Sequence, residues 1–143
     1  MRKKGSVFIM SKERDKDLMR AYREVIRKEL RLYGRVTVTG LMEKVVDSTA
    51  SRYWVSSDRA YSVILRMDKG EDISYMKDRA QRFYRSLYSD FCKYRESHRG
   101  MVAKHIVEIV IQYPAPCFMI SPEFAGYIIC QTKKKLKEER WKK

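Results

Sequence analysis

Shifted by 65 positions, residues 41–65 of this chain fall on residues 106–130 without a gap. Six of the 25 pairs are identical: Glu43/Glu108, Val45/Val110, Ala50/Ala115, Ser56/Ser121, Ala60/Ala125 and Ile64/Ile129. Six more keep their physical character: Leu41/Ile106, Val46/Ile111, Tyr53/Phe118, Val55/Ile120, Asp58/Glu123 and Val63/Ile128. A repeat of this period restricts the fold to copies of one supersecondary unit, because matched caps and matched apolar positions require matched elements.

Each copy reads as a long helix, a short helix, a short strand and a capped helix. Between Ser11 and Tyr33, residues Leu18, Ala21, Tyr22, Val25 and Tyr33 recur at three- and four-residue steps, and Gly34 supplies a stop. Thr37 or Thr39 caps a shorter helix with Leu41, Met42, Val45 and Val46 inward. RYWVS (52–56), aromatic and branched, predicts a strand. Ser56 then caps a helix over about 57–67 that buries Ala60, Val63, Ile64 and Met67.

The second copy opens with a long helix from about Ile73, turning Ala80, Phe83, Tyr84, Leu87, Tyr88 and Phe91 inward and closing at Arg99-Gly100. A helix from Met101 through Gln112 follows, until Pro114 and Pro116 forbid its continuation. CFMIS (117–121) predicts the second strand, and Ser121-Pro122-Glu123 combines a capping hydroxyl, a proline at the first helical position and an acid at the positive helix end. The expected fold is mainly α, a tandem duplication of helix-helix-short strand-helix with repeats at about 12–70 and 77–132. It makes one domain over 1–143, with a basic tail at 133–143. A lone strand leaves its amides and carbonyls unpaired, so the two strands are expected to pair in a small antiparallel ribbon about a pseudo-twofold axis.

A formal charge of +14 favours polyanionic partners, and more than half of it sits at the ends. Arg2, Lys3 and Lys4 carry +3 and KKKLKEERWKK (133–143) carries +5. No run of residues approaches the roughly 18 apolar positions of a membrane span, and the four-residue apolar run in MRKKGSVFIMSK is too short for a secretory signal, which places the chain in the cytoplasm, or in a virion. Cys92, Cys117 and Cys130 are odd in number and far apart, so they are read as buried small apolar residues without a disulfide or metal role.

Catalytic constellations are missing from the sequence. His98 and His105 have no accompanying ligand pattern, Glu43 and Glu108 suit outward or capping positions, and neither a phosphate-cradling Gly-rich loop nor a nucleophile elbow occurs. No cofactor, metal or small-molecule substrate is expected, and the chain is read as no enzyme. Lys16, Arg20, Arg23, Arg27 and Arg31, in contrast, follow one another at three- and four-residue steps opposite the apolar side of the first helix, a stripe comparable in length with several phosphate spacings. Arg59 and Arg66 lie on the outer side of the third helix and could face a groove. With Lys133, Lys134 and Lys135 of the tail they make up the expected nucleic-acid contacts. Trp54, Met119, Phe124 and Tyr127 are expected to contact protein, Trp54 having a place in the core as its alternative.

The segments YPAPCFMISPEFAGYII and STASRYWVSSDRAYSVI resemble a family of small basic proteins of gut anaerobes and their phages or mobile elements, which carry a Pro-Ala-Pro-x-Phe-Tyr-like strand followed by a capped helix. The resemblance covers residues 12–132, with Met119 in place of the second aromatic. It implies a mobile-element context and brings no activity or site residues. The functional expectation is a non-enzymatic nucleic-acid-binding protein, DNA being the expected partner. The alternative is a structural or adaptor protein of a phage particle or larger assembly, contacting protein or itself.

Overall fold

Apolar residues at helical spacing close six helices. A computed structural model describes residues 3–141, with side chains from residue 10 onward. The elements are α1 (Lys3–Tyr33), α2 (Leu41–Val46), α3 (Ser57–Asp68), α4 (Asp78–Ser97), α5 (Ala103–Val110) and α6 (Pro122–Trp141). The chain is mainly helical, and no strand occurs among the described residues. It divides into two compact units, one from Met1–Ser48 with Ile120–Lys143, the other from Thr49–Met119.

The first unit packs α1, α2 and α6 on one another. α1 contributes Leu18, Met19 and Ala21, α2 contributes Leu41, Val45 and Val46, and α6 contributes Ala125, Ile128 and Ile129, all buried. Gly34, with φ +71, donates its amide to the Leu30 carbonyl at 2.9 Å and ends α1 in the left-handed conformation that favours glycine. α2 starts on Gly40, φ +75, rather than on a threonine cap: the residue before Leu41 needs a positive φ, which Thr37 and Thr39 do not supply. α6 opens as expected, with Ser121 Oγ accepting from the Phe124 amide at 3.1 Å, and runs on through the basic tail to Trp141.

The second unit packs α3, α4 and α5 on one another. Ala60, Val63 and Ile64 of α3 are buried, as are Phe83, Tyr84, Leu87 and Phe91 of α4 and Ile106, Val107 and Val110 of α5. Ser56 Oγ accepts from the Arg59 amide at 3.2 Å, capping α3. α4 begins five residues later than the apolar pattern predicts. Asp72 Oδ1 accepts from both the amide (3.0 Å) and the hydroxyl (2.5 Å) of Ser74, a side-chain turn that competes with helix, and Ile73 is buried from within that turn.

The two expected strands are the main correction. RYWVS and CFMIS are irregular, and the ribbon is reduced to one antiparallel bridge, in which Ala50 and Ala115 exchange amide-to-carbonyl bonds at 3.0 and 3.1 Å. A half-buried strand alternates, yet Tyr53, Trp54 and Val55 are buried in succession. The backbone turns to allow this: the Val55 amide donates to the Tyr53 carbonyl two residues back at 2.9 Å, and the Tyr53 amide donates to the Ile111 carbonyl at 3.0 Å. The cysteines are also only partly as expected, with Cys117 buried, Cys92 half-buried and Cys130 exposed.

Tyr53 holds the second unit together through both ends of its side chain. Its ring meets Phe83 edge-on, centroids 5.2 Å apart, and its hydroxyl donates to Asp90 Oδ2 at 2.7 Å with Ser86 Oγ at 2.6 Å. Burial, with the Asp90 carboxylate beside it, pushes the phenol above its ordinary range, so it remains a donor. Tyr53→Phe is expected to cost roughly 1–3 kcal/mol in urea unfolding, because it leaves a part-buried carboxylate short of a donor. Unchanged stability would show that the hydroxyl bonds contribute nothing.

A second tie, at the surface, joins α3 to α4. Asp68 accepts from Arg95 at 3.1 Å and from the Tyr88 hydroxyl at 2.9 Å. Arg95, and then Tyr88, hold the Asp68 carboxyl below the usual carboxylate range, while the same bond helps push the Tyr88 phenol up to about 12. A depressed folded value stabilises above the unfolded value of about 3.9, and that stability is lost as pH falls through the folded value. Asp68→Asn should therefore lower stability at neutral pH and flatten its loss on acidification below about pH 4, read from thermal melts across pH. An identical acid profile in the variant would contradict the tie.

Candidate nucleic-acid interface

The register of α1 is set by its buried residues Asp17, Leu18, Ala21 and Glu29. Lys16, Arg23, Arg27 and Arg31 fall on the opposite side and are exposed. Over the 15 residue steps from Lys16 to Arg31 the helix rises about 22 Å, at ~1.5 Å per residue. Arg20 departs from the expected stripe. Its Nε donates to the buried Asp17 carboxylate at 2.8 Å and its Nη1 to Glu24 at 2.7 Å, so the side chain is 39% exposed and its charge is already matched. Asp17 is the reason: a carboxylate on the buried side recruits the nearest guanidinium.

Glu29 is the other buried carboxylate of α1, and Lys44 of α2 donates to it at 2.6 Å. This pair pins the second half of α1 to α2, just where Leu30, Leu32 and Tyr33 emerge into solvent.

The tail belongs to the same unit. Lys133 Nζ donates to the Tyr22 hydroxyl at 2.6 Å and lies 4.5 Å from the centre of that ring, bonding α6 to α1 across 111 positions of sequence. The two helices also form a groove of about 370 Å³. Lys12, Lys16 and Arg23 of α1 and Lys135 of α6 line it, Met19 and Leu136 form its apolar wall, and Asp15 and Glu139 are its only acids among the described residues. Asp15 is bonded to Arg14 at 3.2 Å, which leaves the groove cationic. A second hollow on α6 is lined by Lys133, Leu136, Lys137 and Arg140.

The expected contacts therefore separate. Lys16, Arg23 and Lys135 meet in one groove, Lys133 bonds Tyr22 and lines a different hollow, and Lys134 is exposed on α6. Arg59 and Arg66 are exposed on α3, in the other unit. Arg2, Lys142 and Lys143 lie outside the described residues, and the side chains of Lys3 and Lys4 do as well. Of the expected protein contacts, Phe124 (45% exposed) and Tyr127 (60%) are on the surface and Met119 is half-buried. Trp54 is core, 8% exposed, with the Arg52 guanidinium 4.8 Å from its ring centre. Lys12, absent from the expected stripe, extends it by a four-residue step and was legible in the sequence on that ground. Lys137 and Arg140 were hidden because a charged tail gives no sign that it continues a helix.

No group of His, Cys, Asp and Glu able to hold a metal occurs among the described residues. His98 stacks on Tyr94 at 3.9 Å, and His105 lies 3.8 Å from Glu108. No described helix is long and apolar enough to cross a membrane. No family model matches this chain, and neither the curated proteins nor the solved structures contain a significant match.

The Lys44–Glu29 bond gives a direct check on what orients α1. Lys44→Met should destabilise the protein by roughly 1–3 kcal/mol, since it strips the partner from a buried carboxylate, and thermal unfolding reads the loss. A variant as stable as the parent would show that Glu29 does not depend on Lys44.

Proposed function

We propose that this chain is a non-enzymatic nucleic-acid-binding protein of a phage or mobile element, and that the cations of α1 and α6 form its phosphate-binding face. The observation that carries the reading is the shared groove. Lys16 and Arg23 come from the stripe and Lys135 from the tail, two basic segments far apart in sequence, and they open onto one surface lined by Lys12 as well. Clustered cations of this kind bind phosphates without reading sequence, and helix–helix packing holds these at fixed spacing. The mobile-element context rests on the resemblance of the two repeated segments alone.

The reading includes a doubled architecture. Ser56 and Ser121, 65 apart, cap α3 and α6 with the same bond to the third residue onward. Val45/Val110, Ala60/Ala125 and Ile64/Ile129 are buried pairwise, and the Ala50–Ala115 bridge pairs a residue with its own counterpart. In these terms each unit combines the long and short helices of one repeat with the third helix of the other: α1 and α2 with α6, α4 and α5 with α3. That exchange supports a functional division as well, because it carries the basic tail onto the basic stripe.

Binding of short DNA should weaken steeply with salt. Replacing Lys16, Arg23 and Lys135 together by alanine should lower the slope of log K against log salt by about 2–3, at ~0.7–0.9 for each phosphate left without its cation. Arg20→Ala should leave the slope unchanged, since that guanidinium is spent on Asp17 and Glu24. Absence of binding to both duplex and single strands at low salt would overturn the proposal. A defined nucleic-acid-free assembly by light scattering would favour the structural or adaptor alternative.

A further inference from the structure

The groove accounts for phosphates but leaves the aromatic residues of α6 unexplained. Phe124 and Tyr127 stand on the surface one helical turn apart, their rings nearly parallel (12°) with centroids 6.3 Å apart. Parallel rings held clear of a core are uncommon on a monomer surface, since burying them is worth more than exposing them. The pair is also fixed in place: the Arg14 guanidinium of α1 lies 5.6 Å from the centre of the Phe124 ring.

Down the helix from Tyr127 the same face continues at seven-residue steps, which drift by only ~20° each. It passes through Lys134 to Trp141, which is 82% exposed. Between Tyr127 and Lys134 the face shows Cys130, exposed, and Gln131, half-buried, and between Lys134 and Trp141 it shows Lys137 and one acid, Glu138, both exposed. Aromatic, cation, aromatic along one line of a helix is a poor core for a protein interface, from which lysine is depleted. It suits a chain whose own pattern is flat ring and anion in alternation. Duplex nucleic acid hides its base faces, whereas a single strand offers them.

From this we infer that the outer face of α6 binds single-stranded nucleic acid, with bases stacking on the Phe124–Tyr127 pair and on Trp141 and the intervening phosphates meeting Lys134 and Lys137. The inference rests on the phosphate-binding reading above and specifies the form of its ligand. No base identity is read, because every base has a stacking face, and thymine- or uracil-rich strands that lack internal stacking are the favoured substrate.

The two tryptophans make the test direct. Trp54 is buried and Trp141 is exposed, so adding an oligothymidylate should quench the emission of Trp141 and leave that of Trp54. In the full chain, Tyr127→Ala should weaken single-strand binding by at least about fivefold, the lower end of what one base–ring stack contributes. Tyr127→Trp should restore it, and duplex binding should change little in either variant. Circular dichroism checks that both keep their helix content. Salt-sensitive binding that persists with no quenching, and with Tyr127→Ala indistinguishable from the parent, would overturn the inference and leave the phosphate reading standing. Failure of every nucleic acid to bind at low salt would remove both. Concentration-dependent self-association abolished by Tyr127→Ala would assign the pair to a protein contact and overturn the inference.

Discussion

What this protein can present to a polyanion depends on one packing contact, α6 on α1. Neither helix carries enough on its own. α1 has Lys12, Lys16, Arg23, Arg27 and Arg31 exposed on its outer side once Arg20 is taken up by Asp17 and Glu24, and α6 has its lysines beyond residue 132. The Lys133–Tyr22 bond and the Arg14–Phe124 contact seat the two helices together, and Ile128 and Ile129 bury their side chains where the tail would otherwise leave the fold. Flexible basic ends bind phosphates diffusely. A basic end continued as helix and anchored on a second basic helix holds its charges at fixed spacing, so less order has to be imposed on binding.

Two carboxylates buried on α1 offset part of the charge excess within this unit: Asp17 is bonded to Arg20 of the same helix and Glu29 to Lys44 of α2. They neutralise locally and fix which lysines and arginines are left facing outward. The selection of exposed cations is thus made by two acids that a charge count treats only as subtractions from the total.

Local chemistry was legible in the sequence and partnership was not. The hydroxyl caps at Ser56 and Ser121, the glycine stop at Gly34 and the burial of Leu18, Ala21, Ala60, Val63 and Ile64 follow from residue types at fixed offsets and reappear in the structure, whereas Tyr33, expected on the apolar side of α1, is exposed where the helix runs past its partner. RYWVS failed as a strand because composition favours extension while three consecutive buried side chains demand a turn. The start of α4 failed because the Asp72–Ser74 turn competes with the apolar period. Periodicity tells which side of a helix is apolar and is silent about what meets it. It therefore gave no warning that α6 belongs with α1 and α2, or that Asp17 is buried and bonded to Arg20.

The most direct measurement of the central claim, that cations from α1 and α6 act as one surface, is lysine reactivity read residue by residue. The protein is acetylated with and without saturating oligonucleotide and the modified sites are found by mass spectrometry. The account predicts joint protection of Lys12, Lys16 and Lys135, with Lys69 and Lys104 of the other unit, both exposed, unchanged. Protection of one helix without the other, or equal protection of all five lysines, would contradict it.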